Sequence, residues 1–561
     1  MKKVLCVLLS AFMLLTLLVS CNNVGDGTEE SSTESESATE KMSTLDADII
    51  RLVENGEARF YIVCEDMKSY GNIVDYISSD LREKSGVSFK TMPGEDPSLG
   101  LHMIYVGGNY AELFPQAEIK LSYKGYAAVY EGGNIYLCGN TATEIKSAAS
   151  KLCSQISAKE YVKTDENGLT DMEIPTSLMF VYNPGYTVKD PTILSAHISE
   201  YQIVIPKNGG YLAEYQAQLI SKRLAEDTGF ILNIVTDDHS AKDREIILGN
   251  TSRKSLSMPD DPYAYSLKGE GGNLYLSFGS GNAFSGIIDN LKNLFCTADI
   301  DISGTVDKSA CIERSSDEIR IMTSNVLDTK TEHSYALRTE IFVDLYLTYM
   351  PDFIGLQEAS NFKKALSEKM SAYYTLIDQN GHHIPILYRK DIWKPSVNED
   401  DEVIKSFERF GNMWGYEWVM FERIDDPTVK VIVMNLHFHN GNAMWSDLRE
   451  GEMAKVNAEV KRLEALYSDI PMFVTGDYNT HQKSAPTADG RKDTFADIID
   501  GTKLQTGAAL TEDRTSDWEY VIDNICTNSE LVDVVRHKTV NYTVMQISSD
   551  HRPYFIDVKL K

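Results

Sequence analysis

A chain of 561 residues exceeds what one hydrophobic core supports, because cores stop growing near ~250–300 residues, so several domains are expected. With 42% hydrophobic and 24% charged residues, the composition is globular and excludes a fibrous or wholly disordered protein. A formal net charge of −29 disfavours functions that rest on holding long polyanions, since nucleic-acid affinity is largely phosphate neutralisation by Lys and Arg.

The chain opens with Lys2 and Lys3, followed by an almost uninterrupted apolar run from Val4 to Val19. That run is shorter than the ~20 residues a membrane span needs and reads as an export signal. It ends in Leu18-Val19-Ser20-Cys21, which resembles the lipobox of bacterial lipoproteins. The resemblance implies cleavage before Cys21, a diacylglyceryl group on its thiol, and a protein anchored to the membrane outside the cytoplasm. A plain secretory signal is the alternative. Residues 22–46 are Ser, Thr, Glu and Gly with almost no large apolar residue, and they read as a disordered acidic tether. Six further cysteines, Cys64, Cys138, Cys153, Cys296, Cys311 and Cys526, show no CxxC spacing, which argues against zinc. Cys296 and Cys311 are the pair a loop could bridge; buried free thiols are the other reading.

Residues 47–185 and 186–312 read as two copies of one small α/β module. The first has strand-like Phe60–Val63, a helix near Ile73–Glu83, a strand at Met103–Val106, the turn Gly132-Gly133-Asn134 leading into a strand, and a helix near Glu144–Ile156. The second repeats this order with Tyr201–Ile205, a helix near Ala213–Thr228, Glu245–Leu248, the turn Gly271-Gly272-Asn273, and a helix near Ala283–Phe295. Both turns are hairpin chemistry that needs positive φ. Their layout resembles a small N-terminal domain of exported glycoside hydrolases. Neither copy shows an acid/base carboxylate pair, so they read as scaffold or as modules for a carbohydrate or other surface ligand.

From Asp317 onward, polar residues stand at the ends of apolar strands. Glu318–Val326 carries Asn325, Pro351–Glu358 delivers Glu358, and Val431–His437 ends on a histidine. Pro471–Asn479 closes in Gly476-Asp477-Tyr478-Asn479, Val521–Ile525 contains Asp523, and Ser548-Ser549-Asp550-His551 precedes the last strand. One such residue is usually a solvated strand edge. Six strands that each present one are hard to obtain by packing alone, because buried carboxylates are costly unless paired or bound to a metal.

These motifs, in this order, resemble the endonuclease/exonuclease/phosphatase (DNase I-like) superfamily across residues 317–561. The resemblance implies a four-layered α/β sandwich of two mixed sheets flanked by helices, preceded here by the two small α/β modules. It also implies metal-dependent hydrolysis of a phosphodiester or phosphomonoester. Glu358 would be the principal ligand of Mg²⁺ or Mn²⁺ with Asn325 beside it, and Asp550 would complete the metal network. Asp477 would place the attacking water, and Asn479 would donate to a phosphoryl oxygen. His551 would act as general base or hold the phosphate, with Asp523 fixing its tautomer, and His437 would clamp the phosphate or assist the leaving group. His439 and Arg389 are second-rank candidates. Many relatives have a glutamate before the strand Ile386–Arg389 that supports the histidine equivalent to His437; here Gly381-His382-His383 stands there. The expected substrate is a small phosphorylated molecule or a lipid headgroup. A nuclease is the runner-up, and a surface-binding lipoprotein with an inactive catalytic fold is the reading of another class.

Overall fold

In residues 49–312 the period-2 apolar runs assemble into two six-stranded sheets. The computed structural model describes residues 49–561 except 65, 109–112, 114–120, 330–331, 380–382, 412, 441–445, 481–498, 507–514, 517–520 and 543. The signal, Cys21 and the tether therefore lie outside the described residues. No helix among the described residues is long and apolar enough to cross a membrane. The chain divides into two compact units, residues 1–201 with 221–233 and residues 202–220 with 234–561.

The first sheet runs Phe180–Tyr182, Tyr126–Glu131, Asn134–Gly139, His102–Val106, Phe60–Val63, Thr91–Met92. The second runs Asp301–Thr305, Ala264–Glu270, Asn273–Phe278, Glu245–Leu248, Gln202–Ile205, Asn233–Thr236. The two follow the same chain order. In each, the middle strands pair in parallel and one antiparallel hairpin closes the run. Those hairpins turn at Gly132-Gly133 and Gly271-Gly272, all four with positive φ, which a side chain would resist. None of the described cysteines forms a disulfide: Cys64, Cys138, Cys153 and Cys526 are buried and Cys296 is exposed, so the bridge between Cys296 and Cys311 is absent.

The C-terminal region stacks four layers. One sheet has the order Tyr374–Ile377, Ile386–Arg389, Phe353–Gln357, Ile319–Asn325, Tyr554–Leu560, Val532–Thr539. The other has Trp393–Pro395, Gly415–Arg423, Lys430–His437, Met472–Asp477, Asp523–Asn528, Leu504–Thr506, with Lys405–Arg409 paired beside Gly415–Arg423. Strand alternation sends Ile321, Phe353 and Ile556 from the first sheet against Val433, Phe473 and Ile525 from the second, and this forms the central core. On the far face of the second sheet, Met434 and Val474 bury Met453, Val456, Val460 and Leu463 of the helix Ser446–Leu466. On the far face of the first, the helix Tyr335–Tyr349 bonds Tyr346 to Ser324 and packs Tyr349 against Phe555 with the rings tilted by 52°.

One polar layer interrupts the core behind the strand ends. Gln357 Nε2 and Thr475 Oγ1 donate to Asn435 Oδ1 at 2.6 and 3.1 Å, and Asn435 Nδ2 donates to the carbonyls of Leu356 and Ile384. The bonds of Asn435 with Gln357 and Leu356 cross from sheet to sheet and fix their relative register.

Candidate functional site

Each sheet contributes a central parallel pair, and the register of those pairs places the polar residues. Asn325 lies opposite Gln357, so Glu358 is the next residue out; His437 lies opposite Asp477, and Asp477 opposite Asp523. Parallel strands end together, which is why Asn, Glu, His and Asp from distant segments reach one edge of the sandwich. Asp523 is the first residue of its strand rather than an interior one.

Glu358 leaves the sheet with φ of 52°, a conformation uncommon for glutamate, and its Oε1 accepts from Asn325 Nδ2 at 3.2 Å. The same Nδ2 lies 3.1 Å from Asp477 Oδ2, so Asn325 bridges the two carboxylates. Its Oδ1 accepts the Leu327 N–H at 3.0 Å, which fixes the amide's orientation. Asn479, also left-handed at φ 49°, donates its backbone N–H to Asp477 Oδ1 at 2.9 Å and its side-chain amide to the Phe438 carbonyl.

His551 donates from Nδ1 to Asp523 Oδ2 at 2.8 Å, leaving Nε2 toward Asp477 at 3.7 Å and Asp550 at 4.0 Å. Burial alone would lower its pKa, but the Asp523 and Asp477 carboxylates hold it up at about 10, so the imidazole is charged at neutral pH. Burial raises the Asp477 carboxyl above the ordinary range, opposed by His551. His437 is the opposite case: burial pushes it down to about 4, and both ring nitrogens lack a hydrogen-bond partner, with Nε2 3.6 Å from Asp477. A neutral, unsupported His437 is consistent with the departure noted in sequence, where no glutamate precedes Ile386. Of that stretch Gly381 and His382 lie outside the described residues, and His383 pairs with Ser360.

No protein-family model and no curated protein matches the chain. Several solved structures are similar to it. The human Nocturnin catalytic domain with bound sulfate is 16% identical, over 44% of this chain and 95% of that one, with a TM-score of 0.36. A Bacteroides thetaiotaomicron endonuclease/exonuclease/phosphatase family protein is 17% identical, over 43% and 97%, with a TM-score of 0.35. The mannosyl-6-phosphatase of the same organism is 17% identical, over 43% and 99%, also at 0.35. These are similarities of fold.

The two second-rank candidates stand elsewhere. The strand Ile386–Arg389 runs antiparallel to Phe353–Gln357, with Ile386 opposite Gly355 and Tyr388 opposite Phe353, so Arg389 reaches the end of the sheet away from Glu358. There it forms an ion pair with Asp391. His439 lies two residues beyond the end of its strand; its ring binds Glu452 and stacks on Trp414, with centroids 3.6 Å apart.

Three supporting residues were given no role in the sequence reading. Ser549 donates to the Asn325 carbonyl and accepts the His551 N–H, tying the Ser-Asp-His turn to the Asn325 strand; it sat inside a quoted motif and could have been found there. Thr515 Oγ1 accepts the N–H groups of Ile522 and Asp523. Arg338, fully buried, donates to the carbonyls of Val326, Leu327 and Ser548, so it joins two site loops. A helical arginine usually reads as a solvated face, and nothing in the sequence marked this one.

Proposed function

We propose that the C-terminal domain is a divalent-metal-dependent phosphoesterase. The observation that carries this reading is the buried cluster in which ligand atoms of Asp477, Asp523 and His551 all lie within 4.8 Å of one another, bridged by Asn325 to Glu358. The donor set fits a hard cation: carboxylate and carboxamide oxygens without a cysteine suit Mg²⁺ or Mn²⁺, and Asp523 Oδ1 is buried without a partner. Glu358 would hold the ion, with Asp550 completing the network, and Asn325, whose Nδ2 faces both carboxylates, would offer its oxygen only once its amide turns. When bound, it would neutralise charge on the phosphoryl oxygens.

The chain's own residues supply the remaining requirements. Asp477 orients the attacking water from between the two histidines and takes its proton, which the charged His551 beside it can pass to the leaving oxygen. His551, charged and locked through Nδ1 to Asp523, donates from Nε2 to a phosphoryl oxygen, which favours its phosphate-holding role over general base. Neutral His437 clamps a second oxygen, and Asn479 donates to the phosphoryl group once its amide turns from Phe438. The favoured substrate is a small phosphoester or lipid headgroup. The Leu18–Cys21 motif supports placing the enzyme outside the cytoplasm on a lipid at Cys21.

The deciding experiment is phosphate or alcohol release from a panel of phosphodiesters and phosphomonoesters, with and without Mg²⁺, by the chain and its Glu358→Gln variant. Metal-dependent release that the variant loses is expected. Undiminished turnover in excess EDTA overturns the mechanism.

A further inference from the structure

A cleft of about 880 Å³, within the ~300–1,000 Å³ of ordinary ligand sites, opens beside the helix Gly281–Asn290 and the end of the strand Asp301–Thr305. Its opposite wall is Tyr349 with the segment from Lys538 to Tyr542, and none of its lining residues belongs to the Asp477 cluster.

The walls are built around one tyrosine. A Cβ on Gly286 would come within 2.3 Å of the Tyr265 ring and one on Gly304 within 2.7 Å of its hydroxyl, so the two glycines form the slot that seats it. Asn290 Nδ2 then donates to the Tyr265 hydroxyl at 3.0 Å, and Asn282 Nδ2 to the Tyr349 hydroxyl at 2.9 Å. Thr539 lines the same space, is only 3% exposed, and its hydroxyl has no hydrogen-bond partner. A buried polar atom left unmatched costs roughly 1–3 kcal/mol, so Thr539 marks a place where a ligand's hydrogen bond belongs.

The chemistry of the lining selects the ligand. Asp289 and Asp307 face one cation, Lys538, so the cleft is not arranged for phosphate or another anion. Hydroxyls and carboxamides that both donate and accept match a ligand carrying many hydroxyls, and the half-buried Tyr265 ring in the wall suits the C–H face of a sugar ring. We propose that this cleft binds a neutral oligosaccharide, independently of the phosphoester site.

The test is calorimetry on the full chain with mannotriose, cellotriose, xylotriose and N,N′-diacetylchitobiose, repeated on Thr539→Val and Asn290→Ala. At least one sugar should bind, weakened about 10-fold by each substitution, with no displacement by inorganic phosphate and with phosphoester hydrolysis by both variants unchanged. Thr539→Val keeps the side chain's volume and removes an unpartnered hydroxyl, so its fold and melting temperature should stay as they are. Absence of binding by all four sugars at ~10 mM, equal affinity in both variants, or loss of binding in Glu358→Gln overturns the proposal.

Discussion

At the scale of single residues, the site separates two histidines by their neighbours. His551 is held charged by two carboxylates, whereas His437, equally buried, keeps no bonded partner and stays neutral. Asp523 therefore acts through His551, and Asp523→Asn should lower kcat by ~10²–10³, because without that carboxylate the buried imidazole loses the charge with which it binds the phosphoryl oxygen. Steady-state kinetics on the best substrate of the panel checks this, and a loss under ~10-fold would remove the dyad from the mechanism. Glu417 gives a pH test remote from that chemistry. Burial pushes its carboxyl up to about 8, although the Gln379 N–H donates to Oε2 at 3.2 Å. Its unfolded value is ~4.3, so between ~4.3 and about 8 the folded state binds more protons than the unfolded, and stability falls as pH rises through that window. Glu417→Gln should remove the decline: melting temperatures of the two proteins should agree near pH 4 and diverge in the variant's favour by pH 9. Equal melting temperatures at pH 9 would show that Glu417 is not penalised by burial.

At the scale of elements, parallel pairing brings the site together and the polar layer keeps it in register. Gly355 sits where a Cβ would meet Thr475 Oγ1 at 2.1 Å and Asn435 Oδ1 at 2.5 Å, so the sheets approach only because that position is glycine. Gly355→Ala should cost ~1–3 kcal/mol as overpacking, and Asn435→Leu a similar amount by orphaning Gln357 and the Leu356 carbonyl. Urea unfolding followed by tryptophan fluorescence should show both losses; an unchanged midpoint in Gly355→Ala would mean the sheets can part without penalty. The strands that carry the site were legible because each is an apolar run closed by a polar residue, a local pattern. Asn435 and Thr475 were not singled out, because each lies inside such a run and only a partner from another sheet gives it meaning. Arg389 was misassigned for a related reason: sequence shows that a strand is near, not which way it runs, and an antiparallel neighbour carries its last residue to the opposite edge. His439 followed the assumption that its strand continued two residues further than it does.

At the scale of the whole molecule, charge bears on substrate. From Asp317 to the end the chain has 40 Asp and Glu against 27 Lys and Arg, so the acidic excess belongs to the C-terminal region as well as to residues 22–46. A nuclease that follows a duplex sets several cations on its phosphates, and each such contact steepens the salt dependence. The arginines nearest the motifs in sequence are occupied by the protein itself. Arg389 pairs with Asp391 at the far edge, Arg449 is buried and donates to the His439 carbonyl, and Arg552 donates to the Ser549 carbonyl. Among the described residues, what remains at the strand ends is His551, His437 and the carboxylates proposed to hold a metal, which suffice for one phosphoryl group and do not extend along a backbone. Small phosphodiesters or phosphomonoesters should therefore give a higher kcat/KM than duplex DNA, with a shallow dependence on salt. Measuring kcat/KM for both classes from ~50 to ~200 mM salt decides it, since duplex binding through 6–10 phosphates would lose ~10³–10⁵ over that range. Efficient DNA cleavage that collapses across the series would mean that cations outside the described strand ends form a nucleic-acid track, and would reverse the substrate assignment.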